Sequence, residues 1–440
     1  MRKVDVPTAW YDGRAMASAV ERFPMRWPPS WRDPSLLKLL AGTPINLLLT
    51  PADPGLDAVR SEARRMGLTC WEIVTAPPSR PDQIRIQPRS ELEWNRPGAV
   101  VAVSDCVWPS IASESRGSAG PTGVPWVDSN GWFAQLARAL MPRSEIWLVF
   151  DPPGGMVLRP ESYALAVADS EAFGGRWAVS LDEQAQADKG LAARIIHVVG
   201  DALRFFGQHR AWSSYVTCAV LGVLSDYAGE DRHMAEEILN LLARRHLPFR
   251  VLRKTDDKSQ FEGLKAIIYP DARPPATEVE QRLLDFVRQG GLLIANAGWR
   301  VRGGTPGPED VHRRFDVFLL GKGRLAVARE PFSDPYLVAL DAHLLLGRRH
   351  DLVRLWNGGS LNVRYTGQPG GRRAVVHLVN YSTRHPAHEV TLGVTARYRR
   401  AWFWELGANK PRALEVRPAP QGIELPLPEF AIYGAVELEE

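Results

Sequence analysis

Four aspartates sit where a strand-like run gives way to a turn. Asp105, Asp128, Asp151 and Asp182 close or follow the runs VAVSDC, PWVDSN, LVFDPP and AVSLDE, and Glu72 lies near the end of a fifth, CWEIV. Carboxyl groups on successive strand ends meet at one mouth if the strands form a parallel barrel. Two such groups, one donating a proton and one acting as nucleophile or base, are what glycoside hydrolysis requires. Asp128 lies between Trp126 and Trp132, apolar surroundings that favour the acid role. Asp182 follows Arg176 in RWAVSLD, and a guanidinium nearby favours the ionised form. Glu72 is the third catalytic candidate: in an extended segment it points away from Trp71, and a charge buried there needs a partner or a function. Asp105, Trp108, Trp126, Trp132, Asp151 and Arg176 form the candidate substrate-binding set. Each aspartate has a competing structural use, because Asp after a strand caps the next helix and Asp before two prolines makes a turn.

The elements that must position these residues repeat as strand then helix. Apolar runs at residues 44–50, 68–74, 98–109, 124–130, in IWLVFDPPGG and in RWAVSLD alternate with helical patterns at about 55–67, WFAQLARALM, PESYALAVADSEAFG and LAARIIHVVGDALRFFG. Short right-handed βα units of this kind build an open parallel sheet or a TIM-like barrel, and six strands fall short of eight, so a barrel here is incomplete, irregular or partly hidden in the sequence. Residues 1–43, rich in Trp, Pro and Arg, suggest two short helices forming an arm. From 215 to 297 three buried, strand-like runs alternate with two helical patterns, as in a doubly wound sheet covered on both faces. The C-terminal part changes to short alternating strands between Gly, Pro and Asn turns, which predicts a small β-sandwich. The expected division is a barrel-like domain at 1–212, a flavodoxin- or amidotransferase-like α/β domain at 213–340, and a sandwich at 341–440.

Composition narrows the function. The 54 basic and 50 acidic residues nearly balance and form no basic run, so nucleic acid is not indicated. Fifteen Trp, many beside strand-like runs, offer flat apolar platforms of the kind sugar faces stack on. Cys70, Cys106 and Cys218 lie in apolar runs without metal-type spacing and read as buried thiols. The His residues are scattered and no glycine loop cradles a phosphate, so neither a metal nor another cofactor is implied. No apolar run approaches the ~20 residues that cross a bilayer, and the N-terminus has no hydrophobic signal core, so a soluble protein is expected, cytoplasmic as written and exported only if a signal peptide has been removed.

In the last two parts, VTCAVLGVLSD, GLKAIIYPD with LLDFVRQGGLLIANAG, FLLGKGRLAVA, and LNVRYTG with AVVHLVNYS together resemble the β-galactosidases of glycoside hydrolase family forty-two. That resemblance implies a catalytic barrel, an amidotransferase-like domain that joins subunits, a β-sandwich, a homo-oligomer such as a trimer, and a carbohydrate substrate. The family's Asn-Glu pair has no counterpart at a strand end in residues 44–182, so its glutamates are not carried over. Cys218 has no Gly-flanked nucleophile turn around it, and the middle domain is expected to be non-catalytic. The resulting expectation is a glycoside hydrolase with a carboxylate pair at the barrel mouth. The alternative is a non-catalytic carbohydrate-binding or assembly protein on a degenerate barrel.

Overall fold

The computed structural model describes residues 21–94, 98–111, 125–301, 303–308 and 312–440. Its first part is a ring of parallel strands: β1 (Pro24–Arg26), β2 (Leu47–Pro51), β3 (Thr69–Val74), β4 (Gln83–Gln87), β5 (Val100–Val103), β8 (Glu145–Leu148) and β9 (Arg176–Trp177). Just past β9, Val179 bridges in parallel to Met25 of β1, with Arg26 N–H donating to Val179 O at 2.8 Å. Seven strands thus make a near-closed barrel where a complete one has eight. Leu47, Leu49, Ile84, Ala102, Trp147, Val149 and Ala178, with Trp71 and Ile73, form the cluster that fills its interior. Trp71 stacks on Trp147 with ring centres 5.4 Å apart.

Two barrel strands lie outside the apolar runs. β1 has only three residues and begins with proline, and β4 reads QIRIQ, with Ile84 and Ile86 inward. Among the described residues no α-helix separates β3 from β4 or β4 from β5, and the outer face of β4 carries Gln and Arg rather than a second apolar row. The run at 124–130, expected as a barrel strand, is instead part of an excursion. Ser110–Ile111 (β6) pairs antiparallel with Val127–Asp128 (β7) before the chain enters α2 (Gly131–Leu140). Residues 1–20 of the expected N-terminal arm lie outside the described residues, and of the two helices expected in 1–43 the described part shows one, the 3-10 turn Pro34–Leu40.

Helices α1 (Asp57–Arg65), α2, α3 (Pro160–Glu171) and α5 (Lys189–Gln208) cover the barrel, and the short α4 (Glu183–Ala187) precedes α5. Pro160 starts α3 where its missing N–H is not needed, and Asp188 caps α5 by accepting from Gly190 and Leu191 N–H. Next, Val216–Thr217 (β10) joins the distant sandwich. Cys218, read as part of the first doubly wound strand, also belongs there: its N–H donates to Tyr365 O at 2.9 Å.

The middle sheet runs β12 (Phe249–Arg253), β11 (Leu221–Ser225), β13 (Ala266–Tyr269), β14 (Leu292–Ala295) and β17 (Gly323–Ala328), all parallel. Antiparallel β16 (Phe315–Leu320) and β15 (Thr305–Pro306) continue it. Leu224, Ile267 and Leu293 face α7 (Thr277–Arg288), whereas Val223, Ile268 and Ile294 face α6 (Arg232–Arg244) and α8 (Pro335–Leu346). That second cluster is continuous with the helices of the barrel, so α6 lies between the two sheets.

The last part stacks a six-stranded sheet on a four-stranded one. The first holds β10, β19 (Leu361–Gly367), β20 (Arg373–Asn380), β26 (Tyr433–Glu439), β22 (Arg400–Glu405) and β23 (Arg412–Ala413). The second holds β18 (Val353–Trp356), β21 (Thr391–Val394), β25 (Gly422–Pro426) and β24 (Arg417–Ala419). Its core includes Val376, Leu378, Leu392 and Leu425.

Candidate functional site

The excursion after β5 and the polar face of α6 enclose a recess. Asp105, Asp128 and Glu237 line it, with Arg89, Asn240, Trp126 and Trp132. Its volume is about 110 Å³, equal to roughly four water molecules at ~30 Å³ each.

Each wall has an identifiable cause. Gly131 opens α2 because a Cβ there would come within 2.6 Å of the Phe173 ring, so the start of the helix presses close and brings Trp132 to the recess. Asn130 does not cap α2 with its side chain. Its amide instead holds the β5 exit, donating to Val107 O at 2.8 Å and accepting from Val107 N–H at 2.9 Å. It also donates to buried Asp169 Oδ2 at 2.8 Å, and Asp169 accepts from the Tyr381 hydroxyl of the sandwich. Burial pushes the Asp169 carboxyl up to about 6, against the lowering effect of these hydrogen bonds.

Asp105 is held by Arg89: Oδ1 accepts the backbone N–H at 2.6 Å and Oδ2 accepts Nε–H at 3.1 Å. The same guanidinium lies 5.4 Å from the Trp132 ring centre. Asp128 Oδ1 accepts from Trp126 Nε1–H at 3.0 Å. Over Trp126, 3.5 Å from its ring centre, lies the buried guanidinium of Arg244, which also donates to Val127 O at 2.8 Å. Burial brings Arg244 down to about 10, opposed by the charge of Asp128.

Asp105, Asp128, Trp126 and Trp132 of the sequence-derived set therefore share one recess, and the others lie elsewhere. Asp182 caps α4: Oδ1 accepts from Ala185 N–H at 2.7 Å and Oδ2 from the Tyr163 hydroxyl at 2.6 Å, and the residue is buried. Glu72 points out of the barrel, opposite Trp71, where Arg80 and Gln83 donate to it at 3.2 and 3.4 Å. Asp151 pairs with Arg26 across the strand ends. Trp108 is enclosed edge-on by Phe150, Tyr163 and Trp177, with ring centres 5.4 to 5.8 Å away. Arg176 opens β9 at the end of the barrel opposite the mouth, bound to Glu171 at 2.8 Å and Glu21 at 2.7 Å. Strand direction explains that separation, since six residues of largely extended chain span roughly 20 Å.

Glu237, Asn240 and Arg244 were not singled out from the sequence. Their signal is there: polar residues at positions i, i+3 and i+7 on a helix whose other positions are largely apolar, which puts all three on one face.

No protein-family model and no curated protein matches the sequence. Solved structures do match the fold. An α-L-fucosidase isoenzyme 2 from Paenibacillus thiaminolyticus aligns over 95% of this chain and 99% of its own, with a TM-score of 0.59 and 12% identity. A β-galactosidase from Bacillus circulans sp. alkalophilus aligns over 87% of this chain and 66% of its own, with a TM-score of 0.51 and 11% identity. A catalytic mutant of a family-forty-two β-galactosidase from G. stearothermophilus aligns over 88% and 66%, with a TM-score of 0.51 and 13% identity. The chain spans 66% of the length of these two β-galactosidases. The chain thus has the fold of the family-forty-two β-galactosidases, a TIM-like barrel followed by an amidotransferase-like α/β domain and a β-sandwich, with seven barrel strands among the described residues.

Proposed function

We propose that this chain is a carbohydrate-active protein of the glycoside hydrolase type, which takes the end of a glycoside into the recess between the barrel and α6. The observation that carries the reading is one concave site with three carboxyl groups beside two indoles. Carboxyl groups supply the proton transfers of glycoside cleavage, and indole faces supply apolar contact for sugar C–H groups. Asp128 is the carboxyl group of the pair that we assign first, because it is half-buried and holds only one hydrogen bond to described residues. The names of the aligned structures, a fucosidase and β-galactosidases, favour the same class of substrate.

A panel of nitrophenyl glycosides tests this with the wild type and Asp128→Asn. The expected result is turnover of at least one sugar and a loss of about 10²- to 10⁴-fold in the variant, the span of general acid–base catalysis. Equal activity in the two proteins would remove Asp128 from the mechanism.

A second reading has its own support. Asp182 and Asp151, two of the acids that follow barrel strands, are engaged in a helix cap and an ion pair, and Trp71 and Trp147 fill the barrel. That arrangement suits a protein that holds a sugar without cleaving it. Saturable sugar binding with no hydrolysis of any glycoside would favour it.

A further inference from the structure

We infer that the second carboxyl group of the site comes from the middle domain: Glu237 on α6 is the partner of Asp128, and the hydrolytic pair is split across two domains. The inference rests on the glycoside hydrolase reading. The three acids of the recess differ in what already occupies them. Both oxygens of Asp105 are engaged by Arg89, so its geometry is that of a fixed ion pair. Asp128 gives one oxygen to Trp126, and Glu237 gives one to Asn240 Nδ2 at 3.2 Å, three residues along the same helix. Among the described residues nothing else hydrogen-bonds to either, and both side chains are half-buried, so each presents an oxygen to the recess.

Arg244 fixes the two acids relative to each other. It lies on the face of α6 that carries Glu237, and it grips the excursion twice, over the Trp126 ring and at Val127 O. Asp128 is the next residue. The segment that carries one acid is therefore pinned to the helix that carries the other, which is what a pair drawn from two domains requires. Arg244 is a positioning residue here.

The surroundings divide the roles. The indole N–H of Trp126 donates to Asp128, a setting for the anion that acts as base or nucleophile, while the charge of Arg244 acts on Asp128 and Glu237 alike. Glu237 is then the proton donor. As the bond between the anomeric carbon and the glycosidic oxygen breaks, the Glu237 proton passes to that oxygen. The oxygen of water ultimately bonds to the anomeric carbon and its proton passes to a carboxylate of the pair. One water is consumed, a sugar and an alcohol leave, and no oxidant or cofactor enters.

Leaving-group dependence tests the assignment in the full-length protein, using the sugar that the wild type hydrolyses. In Glu237→Gln, kcat/KM is expected to fall at least 100-fold on the phenyl glycoside and less than 10-fold on the 2,4-dinitrophenyl glycoside, whose departure needs no proton. A structural role would lower both alike. Glu237→Asp keeps a carboxyl group and should regain part of the phenyl activity, and thermal melts establish that both variants are folded. Equal losses on the two substrates, or no loss on either, overturn the role of Glu237 while an inactive Asp128→Asn leaves the site standing. A wild type that hydrolyses no glycoside overturns both.

Discussion

Asp182→Ala removes two hydrogen bonds at once, and the structure gives the size of the effect. Its Oδ1 closes the first turn of α4 on Ala185 N–H, and a lost N-cap costs about 1 kcal/mol. Its Oδ2 is the acceptor for the Tyr163 hydroxyl, and a buried hydroxyl left without an acceptor costs about 1–3 kcal/mol. The sum is about 3 kcal/mol. At about 2–4 °C per kcal/mol for a domain of this size, the melting temperature should fall by roughly 9 °C. Asp182→Asn keeps an acceptor for Ala185 but turns an amide N–H toward Tyr163, so it should lose about half as much. Calorimetric melts measure the shifts, and initial rates normalised to folded protein measure chemistry, which should stay within about threefold of wild type. A variant that melts within about 1 °C of wild type and loses more than 100-fold in kcat would refute the reasoning and return Asp182 to the catalytic pair.

Three other outcomes follow from burial and exposure. Asp169 titrates near 4 when unfolded and at about 6 when folded, so between those values the folded state holds a proton that the unfolded state has lost. Its contribution to stability therefore falls as pH rises from about 4 to about 6, by about 3 kcal/mol, and denaturant midpoints should lose that component in Asp169→Asn. Burial pushes the thiols of Cys106 and Cys218 up to about 12 and raises Cys70 as well, so at pH 8 a disulfide reagent should label the native protein slowly and all three thiols rapidly in guanidinium. Leu319 on β16 and Leu344 on α8 leave apolar side chains exposed, and we propose that copies of the chain meet there. Sedimentation velocity should find a species larger than the 49.0 kDa chain, and a monomer at every concentration would count against assembly.

Much of the architecture was legible because burial on both faces of a strand leaves an uninterrupted apolar run. β11, β13 and β14 read clearly for that reason, as did the amphipathic α1 and α5. β4 did not, since its residues alternate and no described helix flanks it in the chain. The run at 124–130 misled for the opposite reason: Val127 is buried and Trp126 is covered by Arg244, so a two-residue excursion strand looks as apolar as a barrel strand. At the site, Asp105, Trp126, Asp128 and Trp132 stood out by type and setting. Arg176 and Asp182 are close in sequence, but β9 carries them to opposite ends of the barrel. Glu237 lies 109 residues after Asp128, and only the docking of α6 beside α2 brings them to one recess.

The central claim is that the sugar sits between the excursion and α6. A crystal structure with a bound imino sugar, a mimic of the charged glycosyl transition state, tests it most directly. The account predicts density in the recess, in contact with Trp126 or Trp132 and within hydrogen-bonding distance of both Asp128 and Glu237. Density over the strand ends at Arg26 and Asp151, or in the groove beneath the sandwich lined by Ser360, His385 and His388, would contradict it.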